Sequence, residues 1–139
     1  MKIWKKNIDL ETVSNTRKDT IVDLIGIEFT TVGDDFLCAK MPVDERTKQP
    51  YGILHGGASC VLAETVGSVA ANFCVEDGFV CVGLSINTNH IKKVRDGFVY
   101  AKAMPVHLGK TTQVWDTPIK DEAGQLISIT RLTLAVIAI

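Results

Sequence analysis

The chain has 139 residues and is close to charge balance, with 15 Lys plus Arg against 16 Asp plus Glu. That length suits one domain over residues 1–139 with a core able to stand without staples. Near-neutrality argues against a nucleic-acid binder, which carries a basic excess. The opening Met1-Lys-Ile-Trp-Lys-Lys-Asn has the charge of a signal peptide, but Asp9 and Glu11 occupy the place of an apolar core. No transmembrane candidate appears further along, so a cytoplasmic protein without membrane partners is expected. The four cysteines (Cys38, Cys60, Cys74, Cys81) lack Cys-x-x-Cys spacing and read as reduced, small hydrophobes. His55, His90 and His107 lack the short spacings of a zinc site. Neither a metal nor an organic cofactor is called for.

Asn7 to Lys18 reads as a weakly amphipathic helix with Ile8, Leu10 and Val13 on its apolar side. Ile25 to Thr31 and Phe36 to Val43 flank Gly33-Asp34-Asp35 as a hairpin. Asp44 to Ile53 is a polar loop. Ala58 to Val75 is an apolar run of helical length, opened by His55-Gly56-Gly57 and closed by Glu76-Asp77-Gly78. It is too short to span a bilayer, and apolar character on all sides predicts burial on all sides. A curved sheet wrapped around the helix would supply that burial. The rest is strand: Val80 onward in strict alternation, a turn at Arg95-Asp96-Gly97, Phe98 to Val106, Thr111 to Lys120 and Leu126 to Ile137. Short turns predict an antiparallel meander that the N-terminal hairpin extends. The expected fold is α+β, one long buried helix against about six curved antiparallel strands, with a short N-terminal helix.

Within the long helix stands a lone carboxylate, Glu64. An ionised carboxylate in an apolar interior is costly unless paired or hydrogen-bonded, so its presence points to function. Gly56 and Gly57 stand at the helix start, where backbone N–H groups lack intrahelical partners and the dipole favours negative charge. Glycine also permits close approach of a ligand to the backbone. Gly56 and Glu64 are eight residues apart, or ~12 Å at ~1.5 Å per residue, too far to serve one reacting centre within a chain. A site using both must draw them from two antiparallel copies, giving two equivalent sites. Ser68, four residues after Glu64, shares its helix face; its hydroxyl could hold the carboxylate or a water, or it could be a small packing residue beside Gly67.

Thr47-Lys-Gln-Pro-Tyr-Gly-Ile-Leu-His-Gly-Gly-Ala-Ser59 and Leu62-Ala-Glu-Thr-Val-Gly-Ser68 resemble the hotdog-fold acyl-CoA thioesterases of the phenylacetate-degradation type. Within that group the similarity is strongest to the 1,4-dihydroxy-2-naphthoyl-CoA thioesterases of menaquinone biosynthesis and their enterobactin-pathway proofreading relatives. Gly33-Asp-Asp, Met41-Pro-Val-Asp-Glu-Arg-Thr-Lys-Gln-Pro, His107-Leu-Gly and Gln113-Val-Trp extend it over essentially the whole chain. The resemblance implies hydrolysis of a CoA thioester, aromatic by preference, to the acid and free CoA. It implies Glu64 as nucleophile or general base and the Gly56 N–H as oxyanion donor. Gln49 and His55 match positions that orient and polarise the thioester, although His55 could equally bond its own backbone. It further implies a homodimer with shared sites, pairing again as a dimer of dimers, and an acyl or aryl carrier protein as an alternative substrate partner.

His90, Lys92, Lys93 and Arg95 at the end of the long strand, together with His107, Gly109, Lys110 and Thr111 of a later turn, form one candidate cluster for CoA phosphates. Tyr51, Ile53, Val61, Val69 and Phe73 are candidates for an acyl pocket, with Tyr51 the most suggestive because it lies in the loop before the motif. A hotdog hydratase or dehydratase pairing His55 with Glu64, and a non-catalytic acyl-CoA sensor, are the competing readings.

Overall fold

The computed structural model describes residues 1–15 and 18–139. Two short helices come first, α1 (Leu10–Ser14) and α2 (Ile21–Leu24), then strands β1 (Glu28–Val32) and β2 (Leu37–Pro42). The long helix α3 (Gly56–Phe73) precedes β3 (Phe79–His90), β4 (Phe98–Leu108), β5 (Thr112–Asp121) and β6 (Leu126–Ala138). All six strands join one antiparallel sheet in the order β1-β2-β4-β5-β6-β3.

Alternation along the central strands explains which face meets the helix. On β5, Gln113, Trp115, Thr117 and Ile119 are buried while the residues between them are not. Leu37, Ala39 and Met41 of β2, Val99, Ala101 and Ala103 of β4, and Leu132 and Leu134 of β6 complete the inner face. Trp115 is fully buried and donates its indole N–H to Gln113 Oε1 at 2.8 Å, so neither polar group is left unsatisfied inside. Helix α3 answers with Leu62, Ala63, Val66, Gly67, Ala70 and Ala71, the three-and-four spacing of a single buried stripe.

That stripe corrects the expectation of a helix buried all round. Val61, Thr65, Ser68 and Val69 are half-buried, and Glu64 is exposed. The central strands cover the buried stripe, and Glu64 lies on the less covered flank of α3, beside the edge strand β3.

Two further expectations fail for physical reasons. The last four strands do not form a simple meander, because β3 pairs with β6 and β2 pairs with β4. Residues 91–97 are a crossing rather than a tight turn. They run past the end of the sheet on hydrogen bonds from Ile91 N to Ile127 O and from Leu54 N to Val94 O, then from Val43 N to Gly97 O. Val94 is buried in that crossing, so its apolar character reflects a plug and not a continuing strand. The predicted Asn7–Lys18 helix is also shorter. Asp9 caps α1 by accepting from Thr12 N, with Thr12 Oγ1 reciprocating. Helix formation ends at Ser14, and the prediction at Thr16 and Arg17 falls outside the described residues.

Strand β3 also departs from simple alternation. A bulge at Leu84, between Gly83 and Ser85, shifts the register with β6. Before it, Cys81 and Gly83 face α3; beyond it, Thr88 and His90 do. An extra residue in a strand reverses the inward set. Here the reversal lets both halves of an edge strand line the open side of the helix.

Candidate active site

The N-terminus of α3 is held by His55. Its backbone is extended, with φ −70° and ψ 128°, and its Nδ1 accepts the Gly57 N–H at 2.8 Å. Ala58 N and Ser59 N both bond to His55 O, at 3.0 and 3.3 Å. No acceptor among the described residues takes the Gly56 N–H, so the first donor of the helix is left for a ligand. Because Nδ1 accepts, a neutral His55 carries its proton on Nε2, making that atom a second available donor.

The loop before the helix is built to hold Gln49. Thr47 Oγ1 donates to Pro42 O at 2.7 Å, His55 N bonds to Thr47 O at 2.8 Å and Gln49 N to Ile53 O at 2.9 Å. The Gln49 side-chain oxygen accepts from Tyr51 N. That contact points the oxygen into the loop and frees the amide –NH2 to donate. Gln49, Ile53, Gly56, His90, Lys92 and Lys93 border one cavity of about 310 Å3. The His90 ring lies over Gly56 so closely that a methyl on Gly56 would stand 2.8 Å from it. Lys92 Nζ donates to Gln125 Oε1.

Glu64 lies two turns further along. Its Oε2 sits across β3 at Gly83, where an added methyl would be 2.9 Å away. Gly83 is thus a functional candidate that sequence reasoning missed; its only signal was a glycine inside an alternating strand. The carboxylate borders a second cavity of about 440 Å3, with Ser68, Val61 and Val69 of α3 on one side and Ile21 and Val22 of α2 on the other. Between Gly56 and Glu64 on the same helix face, Cys60 Sγ donates to Thr88 Oγ1 at 3.3 Å, and that hydroxyl meets Thr130 Oγ1 at 2.8 Å.

The chain does not gather all the predicted residues. Gly109, Lys110 and Thr111 border a third cavity of about 620 Å3 with Lys5, Cys74 and Phe79, at the C-terminal end of α3. His107 is exposed on β4. The cluster expected for CoA phosphates is therefore split within one chain into two groups at opposite ends of the helix. Tyr51 is 86% exposed at the loop tip and belongs to neither the Glu64 nor the Gly56 cavity. Phe73 packs against the core.

The site's chemistry is a backbone N–H donor, an imidazole N–H and an amide at one end of a helix, with a carboxylate further along it. That is an inventory for acyl transfer to water. Residues 51–128 match the family described as the thioesterase superfamily. The chain is 49% identical to a 1,4-dihydroxy-2-naphthoyl-CoA hydrolase of Escherichia coli K12, over 97% of this chain and 99% of that one. It is 46% identical to a proofreading thioesterase, EntH, of Cronobacter turicensis, over 96% and 98%. A thioesterase structure from Haemophilus influenzae superposes with a TM-score of 0.96 at 47% identity, covering 98% of this chain and 95% of that one. With its wrapped helix and six-stranded sheet, this chain belongs to the thioesterase superfamily and is a hotdog-fold thioester hydrolase.

Proposed function

We propose that the protein hydrolyses an acyl-CoA, with an aromatic acyl group, to the carboxylic acid and free CoA at sites shared between two chains. The observation that carries this reading is the free Gly56 N–H at a capped helix start, with Glu64 on the same open face ~12 Å away. The thioester carbonyl oxygen takes the Gly56 N–H, with the Gln49 amide and His55 Nε2–H as neighbouring donors. Glu64 of the second chain removes a proton from the attacking water. The carbonyl carbon becomes tetrahedral, its oxyanion held at Gly56. Collapse expels the CoA sulfur, which takes up a proton, and the acid leaves. A direct attack by Glu64, through an anhydride that water then opens, uses the same residues.

Strand β3 supports the pairing. It is a 12-residue edge strand with Val82, Leu84 and Ile86 exposed, and long exposed apolar edges are templates for another strand. Antiparallel β3–β3 pairing about a two-fold axis sets two α3 helices side by side in opposite directions. It also brings the His90–Lys93 end of one chain to the His107–Thr111 end of the other, uniting the two groups that a single chain holds apart. Cations and backbone amides from both would then meet the CoA phosphates.

The test is CoA release from a panel of aromatic and aliphatic acyl-CoA esters, wild type beside Glu64→Gln. The reading expects aromatic esters to be turned over and the variant to lose about 10²–10⁴-fold. Turnover by the variant equal to wild type would remove Glu64 from the mechanism. An altered acyl chain without free thiol would place the protein among the hydratases. Turnover of an aryl carrier protein thioester in preference to CoA esters would replace CoA as the substrate.

A further inference from the structure

Helix α2 was not anticipated from the sequence, yet it stands opposite the Glu64 carboxylate. The residues on its C-terminal side fix it in place. Ile27 N bonds to Val22 O at 2.9 Å and Gly26 N to Asp23 O at 3.1 Å, with Gly26 at φ +76° making the turn that a side chain would strain. Ile25 and Ile27 are buried just beyond, and Val22 packs on the core. The helix is anchored, but Ile21 is not part of the anchor. It is 54% exposed and lines the 440 Å3 cavity together with Val22, Val61 and Val69. The volume is that of a small-molecule pocket, with Ile21, Val22, Val61 and Val69 as its aliphatic residues. Its polar residues are Thr20, Thr65, Glu64 and Ser68, the last two at the side where the reacting carbonyl would be.

We propose that α2 is the selectivity wall of the acyl pocket and that Ile21 sets the size of acyl group accepted beside Glu64. This rests on the thioesterase reading and extends it to a residue that takes no part in the chemistry. The space admits one or two fused rings, and a larger side chain at position 21 removes it. Leu24, on the same four-residue helix, is 71% exposed and does not border the cavity. It is therefore the internal control.

The experiment compares kcat/KM for acetyl-CoA, benzoyl-CoA and 2-naphthoyl-CoA in the wild type, Ile21→Ala, Ile21→Trp and Leu24→Ala. Ile21→Trp should lower the naphthoyl-to-acetyl ratio by about tenfold or more, within the range a pocket wall commands, and Ile21→Ala should not lower it. Leu24→Ala should leave the ratio as in wild type. A change in folding or dimerisation scales all three esters together, so the ratio isolates contact with the acyl group. An unchanged ratio in Ile21→Trp, or an equal change in Leu24→Ala, would overturn the assignment while wild-type turnover still upheld the thioesterase reading. No turnover of any ester by the wild type would overturn both.

Discussion

Glu64 and Gly83 are in contact across the open side of the molecule: the carboxylate of one lies where a side chain on the other would be, 2.9 Å from an added methyl. Gly83→Ala should therefore push the carboxylate aside. The end of an exposed side chain moves cheaply, so the melting temperature should stay close to wild type. Turnover should not, because a displacement of about 1 Å at a reacting group can cost ~10²-fold. Paired melting and kcat measurements check this, and normal kcat in Gly83→Ala would show that the resting Glu64 position has no bearing on catalysis.

Gly56 allows its N–H to be removed without breaking the helix. It is the first helical residue, where proline is well tolerated, and His55 already has the extended backbone that a following proline requires. Gly56→Pro deletes the donor; Gly56→Ala keeps it. Both bring a Cβ against His90, so their difference reports the N–H and the proline ring carbon that takes its place. Gly56→Pro should be slower than Gly56→Ala by about 10²–10³-fold in kcat, the usual consequence of losing one oxyanion donor. Equal rates would assign the oxyanion elsewhere.

His55 combines a structural task with a proposed chemical one, and two substitutions separate them. Asparagine is a good N-cap, whereas alanine is a poor one. His55→Ala should lose ~0.5–2 kcal/mol of stability, and His55→Asn little of that. Both should lose activity if Nε2–H polarises the thioester. Urea titrations alongside kcat decide the matter, and full activity in His55→Asn would leave His55 as a cap alone.

Cys74 gives the protein an alkaline weakness. Burial, reinforced by neighbouring Cys81, pushes its thiol from an ordinary 9.0 up to about 12. The native thiol keeps its proton where the unfolded chain's has ionised. Its stabilising contribution is complete below pH 9 and declines as pH rises from 9 toward 12. Urea midpoints should fall across that window, and Cys74→Ala should flatten the fall; an unchanged slope in the variant would assign the decline to other groups.

The helix-in-sheet architecture was legible because its signals are local. His55-Gly56-Gly57 marked the helix start, and short turns bounded the Thr111–Lys120 strand, which is β5. What sequence could not show depended on a partner surface or on one inserted residue. Val61 and Val69 were among the pocket candidates and do line the Glu64 cavity, but Tyr51, singled out from them, does not, because an apolar residue facing a cavity has the same chemistry as one facing the interior. The Leu84 bulge was hidden in an unbroken alternation, yet it decides that His90 overlies Gly56. The crossing at 91–97 was read as the end of the long strand followed by a turn at Arg95-Asp96-Gly97, and only long-range bonds such as Leu54 N to Val94 O reveal its course. Short α2, packed through Val22, has too few residues for periodicity to register.

The most direct test of a shared site is to mix Gly56→Pro with Glu64→Gln, each inactive alone, under conditions of verified subunit exchange. Half of the dimers become mixed, and each mixed dimer carries one site with an intact Gly56 and an intact Glu64 from different chains. Acyl-CoA hydrolysis should return to about a quarter of the wild-type rate. No recovery despite confirmed exchange would contradict a site built from two chains.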